Sequence, residues 1–224
     1  AHIPHLIYPG EYEKPGKVTA RVVKAVLETG SSGEHAMTAE WLYLRGHFKD
    51  TELVIGIVNA VGTEYKRVLS PLTDRLKGFG YTVEEIHVSS LLPAPSYKCG
   101  EYDRIKHYMN RGDELRKKTG NNAILAAGAT HKVKESRQGE PRKIAYIVNS
   151  LKHPDEVEFL RKVYGDGFYL FGIHGDEKRR HAYLVNDKSL TQAQADELIR
   201  IDEDEKIEHG QRTRDTFHLS DFYI

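Results

Sequence analysis

The residues that could do chemistry in this chain begin with a short run between an apolar segment and an amphipathic one. Residues 56–63, GIVNAVGT, have the length of the phosphate-binding pattern G-x-x-x-x-G-K-[ST], and Thr63 falls where a hydroxyl would help to hold magnesium. Val61 and Gly62 stand where the pattern has glycine and lysine. When the frame is moved by one residue, Gly62 becomes the second glycine and Thr63 replaces the lysine. In either frame the lysine that contacts the β- and γ-phosphates is missing.

A loop without this lysine still offers other groups to a phosphate. Backbone N–H groups can donate to phosphate oxygens, and the start of the following helix carries a partial positive charge. Lys66, one turn into that helix, supplies a full charge. The alternative is an ordinary strand–helix connection in which the glycine only permits the turn. We predict a nucleotide-binding loop, with the candidate residues Gly56, Asn59, Ala60, Val61, Gly62, Thr63 and Lys66.

Further cationic residues follow two later apolar segments and one helix. Lys152 comes shortly after residues 144–148, beyond Asn149, which stands where nucleotide-binding folds often have an acidic magnesium ligand. Arg179 and Arg180, with Lys178, follow the apolar run 168–173 and suit an exposed, mobile lid over phosphates. Arg116, on a polar helix, is a candidate for a second phosphate. A solvated surface is the alternative for Lys152 and for the cluster at 178–180, and no catalytic residue is identified.

Composition excludes several classes of function. Acidic and basic residues balance at 33 each, which argues against a dominant attraction to nucleic acid or membrane. The single cysteine, Cys99, cannot form an intrachain disulfide or supply the cysteine pair of a zinc deaminase, so no zinc is expected. The acidic run 202–209 would radiate around a helix, and we predict a solvated helix there and no metal site. With no bilayer-length apolar stretch and no secretory segment, a cytoplasmic protein is expected.

The spacing of apolar residues predicts strands alternating with helices. An alternation of this kind indicates a three-layer α/β fold, with a parallel sheet flanked by helices, whose ligands lie beyond the carboxyl ends of the strands. Strands are predicted at 53–58, 81–88, 144–148, 168–173 and 217–224, and helices at 64–79, 103–118, 122–135, 154–164 and 191–201.

The first 36 residues differ in composition from the rest of the chain. They are rich in proline and glycine and end in a flexible, linker-like stretch before Met37. They are interpreted either as an added leader, with Met37 as the natural start, or as an N-terminal arm. Residues 37–224 are predicted to form one nucleotide-binding domain.

Several segments together resemble one known module. RGDELRKKTGNNAILA, NSLKHPDEVEFLRKVYGDGF and GQRTRDTFHLSDFYI, with the loop that lacks lysine, are similar in order and spacing to the P-loop kinase-like N-terminal domain of bacterial anti-phage deoxycytidylate (dCTP/dCMP) deaminases. The resemblance covers about residues 51–224. In that family a zinc deaminase domain follows, whereas this sequence contains neither H-x-E nor P-C-x-x-C, so deaminase chemistry is not expected in this chain.

The resemblance implies a regulatory domain that binds a nucleoside triphosphate, ATP or GTP, with or without magnesium. It further implies a cytidine deaminase domain as partner, homo-oligomers, and depletion of nucleotide pools in phage defence. One alternative is an active deoxynucleotide or nucleoside monophosphate kinase, because both functions use the same fold. Another is a module that binds a regulatory RNA or other subunits. No membrane partner is expected.

Overall fold

The computed structural model describes residues 52–137, 143–203 and 210–224. The predictions made for residues 1–36 and for Met37 lie outside the described residues. The elements of the described part, in chain order, are β1 (Leu53–Asn59), α1 (Lys66–Gly78), β2 (Thr82–His87), a 3₁₀ turn (Val88–Leu91), α2 (Glu101–Thr119), α3 (Ile124–Ser136), β3 (Ile144–Asn149), α4 (Pro154–Tyr164), a 3₁₀ turn (Gly165–Gly167), β4 (Phe168–Ile173), α5 (Glu177–Asn186), α6 (Gln192–Glu203), α7 (Thr213–Phe217) and β5 (Phe222–Tyr223).

The strands form a five-stranded sheet in the order β2-β3-β1-β4-β5, and every pair is parallel. β1 lies at the centre, with Ile57 opposite Asn149 of β3 and Asn59 opposite Ile173 of β4. Because all strands run in one direction, their carboxyl ends share one edge of the sheet. The predicted parallel sheet flanked by helices is confirmed.

The alternation of side chains along the strands divides the core into two layers. On one face, Val54 and Val58 of β1 pack with α3 and α4, whose contributions include Leu125 and Leu160. On the other face, Ile55 and Ile57 pack against α1. Since both faces are covered, the central strands are apolar on both sides, as buried parallel strands usually are.

A third group of buried apolar residues lies away from the sheet. Met109 of α2 packs with Leu184 of α5 and with Leu198 and Ile199 of α6. This cluster ties α2 to the two helices that follow β4. No helix in the described ranges is both long enough and apolar enough to cross a bilayer.

Two segments contain helices that the sequence analysis did not predict. The segment after β4, predicted to be a mobile lid, forms the helix α5, which begins because the Asp176 side chain accepts hydrogen bonds from the amides of Lys178 and Arg179. The predicted final strand, 217–224, is a strand only at Phe222–Tyr223. Its first residue, Phe217, belongs instead to the helix α7, Thr213–Phe217.

Gly56 lies inside β1 and not in the loop. A Cβ built on it would lie 2.8 Å from Leu151 Cδ1 and 2.8 Å from Phe168 Cζ. The residue therefore allows close packing of the sheet against neighbouring side chains. Its predicted role as a nucleotide contact is corrected, because the atoms that surround it are those of the core.

Candidate functional site

A cavity of about 680 Å³ opens at the carboxyl edge of the sheet. Its walls come from the loop after β1, the start of α1, the end of β2 with the following 3₁₀ turn, α2, the loop after β3 and part of α5. Residues from both the predicted loop and the later cationic segments line it, including Asn59, Val61, Gly62, Thr63, Lys66, Arg116 and Lys152. Folding thus brings to one cavity most of the residues that the sequence indicated.

The loop between β1 and α1 is a tight turn. The Thr63 amide donates to the Ala60 carbonyl at 3.1 Å, and Gly62 has a φ of 82°, which together indicate a type II turn. The Val61 amide points elsewhere and donates to Asp202 Oδ2 at 2.7 Å. The predicted anion-binding amide is therefore present, and a carboxylate of the same chain contacts it.

Asp202 was predicted to lie on a solvated helix, and this expectation is wrong. Its side chain is fully buried, and its Oδ1 accepts from Lys152 Nζ at 2.9 Å and from Thr213 Oγ1 at 3.1 Å. It stands at the head of an acidic run, whose residues 204–209 lie outside the described residues, and that setting hid its separate role. No pattern in the sequence distinguishes it from its acidic neighbours.

Lys152 reaches the loop from the segment after β3. Its Nζ donates to the Asn59 carbonyl at 2.6 Å as well as to Asp202. The segment that carries it is held firmly: Glu156 Oε2 accepts from the amides of Lys152 at 2.8 Å and His153 at 3.1 Å. Ser150 adopts a φ of 78°, a strained conformation for a residue other than glycine, and it lines the cavity.

Arg116 lies on the predicted polar helix, and the structure shows that it is a buried residue. Its guanidinium donates to Glu156 Oε1 at 3.0 Å and to Asp113 Oδ1 at 3.1 Å, and only 2% of the residue is exposed. A buried cation needs such partners, because an unpaired charge in the interior is costly. Its contact with a second phosphate stays a prediction, supported only by its place in the cavity wall.

Arg180 is not an exposed lid cation. It is 5% exposed, and it donates to the Gly175 carbonyl at 3.1 Å and to the Val61 carbonyl at 3.2 Å, so it joins the start of α5 to the loop. Arg179 is exposed and lies 3.4 Å from Glu64. The two arginines therefore face different surroundings: the exposed cation predicted at Arg180 is corrected, and the lid role of Arg179 stays a prediction.

Among the oxygen atoms at the cavity that have no hydrogen-bond partner in the described residues, two belong to the loop after β1. They are Asn59 Oδ1 and Thr63 Oγ1, and both residues are buried. Neutral oxygens of this kind are ligands that magnesium accepts when phosphate oxygens complete its shell. The described ranges contain no group of three or more His, Cys, Asp or Glu that could hold a metal. A magnesium ion here would thus depend on the phosphates of a ligand.

The lining of the cavity also includes His87 and Tyr65, which the sequence did not indicate. His87 Nδ1 lies 2.8 Å from Ser89 Oγ, and its ring packs edge-on to Tyr65 at a centroid distance of 6.5 Å. Burial lowers the pKa of His87, with smaller contributions from cations that include Lys152 and Lys66. Burial also raises the pKa of Tyr65. Both rings are thus neutral at physiological pH. The sequence signal for His87 was its place at the end of β2, and that for Tyr65 was its place directly before α1.

The chain is similar to several solved structures in the arrangement of its helices and strands. No protein-family model matches the chain, and no curated protein matches it significantly. Among solved structures it resembles an uncharacterized protein from Eubacterium ventriosum, with 13% identity over 78% of this chain and 88% of that chain and a TM-score of 0.43. It also resembles shikimate kinase from Acinetobacter baumannii, with 13% identity, 80% and 86% coverage and a TM-score of 0.40. A gluconokinase from Sinorhizobium meliloti has 13% identity, 75% and 88% coverage and a TM-score of 0.32.

The turn at Gly62 yields a prediction about stability. A Cβ built on Gly62 would lie 2.7 Å from the Arg180 carbonyl oxygen, in addition to the strain of a φ of 82°. Gly80 has the same φ but only the flexible end of Lys143 nearby, at 3.6 Å. Gly62→Ala should therefore lower the free energy of unfolding by about 1–3 kcal/mol more than Gly80→Ala does. Urea denaturation of both variants measures the difference, and equal losses would contradict the close approach of α5.

The pair formed by Arg116 and Glu156 yields a second prediction. Arg116→Met leaves the buried Glu156 carboxylate with backbone donors only, and we expect a loss of about 3–5 kcal/mol in stability. The double variant Arg116→Met/Glu156→Gln removes the uncompensated charge and should be more stable than the single variant. Denaturation curves decide the matter. If the single variant unfolds like the wild type, Arg116 is not the partner that compensates Glu156.

Proposed function

We propose that the chain is a kinase-like module that binds a nucleoside triphosphate, with the phosphates at the loop of residues 59–63. The observation that carries this proposal is the convergence on one cavity of the loop, Lys152, and the unpartnered oxygens of Asn59 and Thr63. Its volume of about 680 Å³ falls in the range of roughly 300–1,000 Å³ that small-molecule sites occupy.

The charges around the cavity support the placement of the phosphates. Lys66 begins α1, where the partial positive charge of the helix end adds to its own. Lys152 lies on the other side of the loop. A ligand with several negative charges is therefore favoured over a neutral one.

The aromatic and apolar part of the cavity lining suits the nucleoside part of the ligand. Tyr65, His87 and Tyr108 line it together with apolar side chains such as Met109. Aromatic rings can stack on a base whatever its identity, so this wall does not select one base. ATP, GTP, dCTP and dTTP are accordingly all candidates.

Efficient phosphate transfer has less support. A kinase stabilises the charge on the transferred phosphoryl group with cations and a metal ion. Here the loop has no lysine, and Arg180 donates to two backbone carbonyls. One observation favours the alternative of a deoxynucleotide or nucleoside monophosphate kinase: Asn149 Nδ2 donates to Glu85 Oε1 at 2.9 Å, so a carboxylate does lie beside the position of the usual acidic ligand.

The wider role is also a proposal. The resemblance of the sequence supports a regulatory domain of an anti-phage deoxycytidylate deaminase system, acting in the cytoplasm, with a deaminase domain as partner and homo-oligomers as the assembly. An RNA- or subunit-binding module is the alternative, which the equal numbers of acidic and basic residues do not favour. Reading the coding sequence beyond Ile224 for H-x-E followed by P-C-x-x-C tests this role.

Calorimetry with ATP, GTP, dCTP and dTTP tests nucleotide binding. The wild type should bind at least one of them, and Lys66→Met should weaken that binding about 10- to 150-fold, the effect of losing one charge-assisted contact. Lys77→Met is the matched control, because it removes the same charge from the far end of the same helix. The proposal fails if the wild type binds none of the four. The placement of the phosphates fails if both variants lose affinity equally.

Phosphate transfer should be slow or absent. In a coupled assay with each common nucleoside monophosphate as acceptor, we expect turnover far below the range of about 1–100 per second that kinases show. The physical reason is the missing lysine at the transferring phosphate. Turnover within that range would establish the kinase as the better interpretation.

A further inference from the structure

The Asp202 carboxylate occupies the donors that a phosphate would use. One of its oxygens accepts from the Val61 amide at 2.7 Å, and the other accepts from Lys152 Nζ at 2.9 Å. A backbone amide at a strand-to-helix turn and a nearby ammonium group form a donor set for an anionic oxygen. The carboxylate therefore takes the place of one edge of a phosphate group.

Two groups beside this contact are left without a partner by the carboxylate. Asn59 Oδ1 and Thr63 Oγ1 are buried beside the occupied donors and have no partner in the described part of the chain. The carboxylate uses both of its oxygens on Val61, Lys152 and Thr213, and it reaches neither of these two groups. A phosphate with a bound magnesium ion would satisfy them as well.

From this geometry we propose that Asp202 is an internal competitor for the phosphate group of the ligand, and that it holds the loop in an autoinhibited state. The proposal rests on the proposed function, since it assigns the regulation of the same site. A phosphate and the carboxylate cannot share the single N–H of Val61, and the charge of the carboxylate beside Lys152 repels a second anion. Binding therefore requires that Asp202 leaves.

The departure of Asp202 would also break its contact with α7. Asp202 lies in the last turn of α6, and its third partner, Thr213, is the first residue of α7. When the carboxylate leaves, the Val61 amide and the Thr213 hydroxyl both lose their hydrogen bonds to the end of α6. Only the fraction of molecules without this contact can bind. The apparent affinity is therefore the intrinsic affinity multiplied by that fraction.

Three variants and one measurement on the wild type test the proposal. Asp202→Asn removes the negative charge and keeps the shape, and Thr213→Val removes one of the hydrogen bonds that hold the carboxylate. Asp196→Asn is the control, because it removes a charge from the exposed face of α6, where Asp196 pairs with His181. Calorimetry with pyrophosphate and with ATP, GTP, dCTP and dTTP gives the affinities.

We expect Asp202→Asn to bind at least about 10-fold more tightly than the wild type, Thr213→Val to gain less, and Asp196→Asn to bind like the wild type. Hydrogen exchange of the wild type needs no substitution and should show faster exchange in the last turn of α6 when the ligand is bound. A ligand that binds without releasing Asp202 would leave that turn unchanged or protect it.

The outcomes separate this proposal from the proposed function. If the wild type and Asp202→Asn bind with equal affinity, or the variant binds more weakly, Asp202 is a structural contact and only the competition is overturned. An equal gain in Asp196→Asn shows a general effect of charge and also overturns it. If neither protein binds any of the five compounds, nucleotide binding fails, and the competition fails with it.

Discussion

The buried carboxylate of Glu156 fixes the residues around the cavity. It accepts from Arg116 of α2 and from the amides of Lys152 and His153 at the start of α4. Because an isolated charge in the interior costs several kcal/mol, these donors stay in place as long as the domain is folded. The segment after β3 is thereby held where the Lys152 ammonium reaches the loop after β1 and Asp202. A series of ion pairs and hydrogen bonds thus connects α2, α4, α6 and the loop after β1.

The fold was accessible from the sequence where apolar residues repeat without interruption. β1, β3 and β4 are apolar on both faces, and such runs predict strands buried in a parallel sheet. α5 escaped prediction because its charged residues resemble a solvated turn, although Asp176 was available as a capping signal. At the end of the chain, eight residues alternate too briefly to separate a short helix from a strand.

The candidate site was accessible only in part, and the reason is the distance along the chain between interacting groups. The loop and Lys152 follow neighbouring strands of a parallel sheet, so their convergence follows from the topology. Asp202 contacts Val61 from 141 residues away, and Arg180 contacts it from 119 residues away. Whether a charged side chain is buried depends on such partners. A local sequence pattern, which assigns Arg180 and Asp202 to the surface, does not include these distant partners.

The place of β1 in the sheet has a consequence for how the chain is made. Its partners on the two sides, β3 and β4, are both synthesised later, since Leu53 pairs with Ala145 and Val54 pairs with Phe168. At about 5–20 residues per second, the ribosome takes roughly 5–20 seconds to produce the first of them. During that time an apolar strand with unpaired backbone groups is a template for pairing with other chains. The strand that is central to the finished domain is therefore exposed to pairing with other chains while the domain is being synthesised.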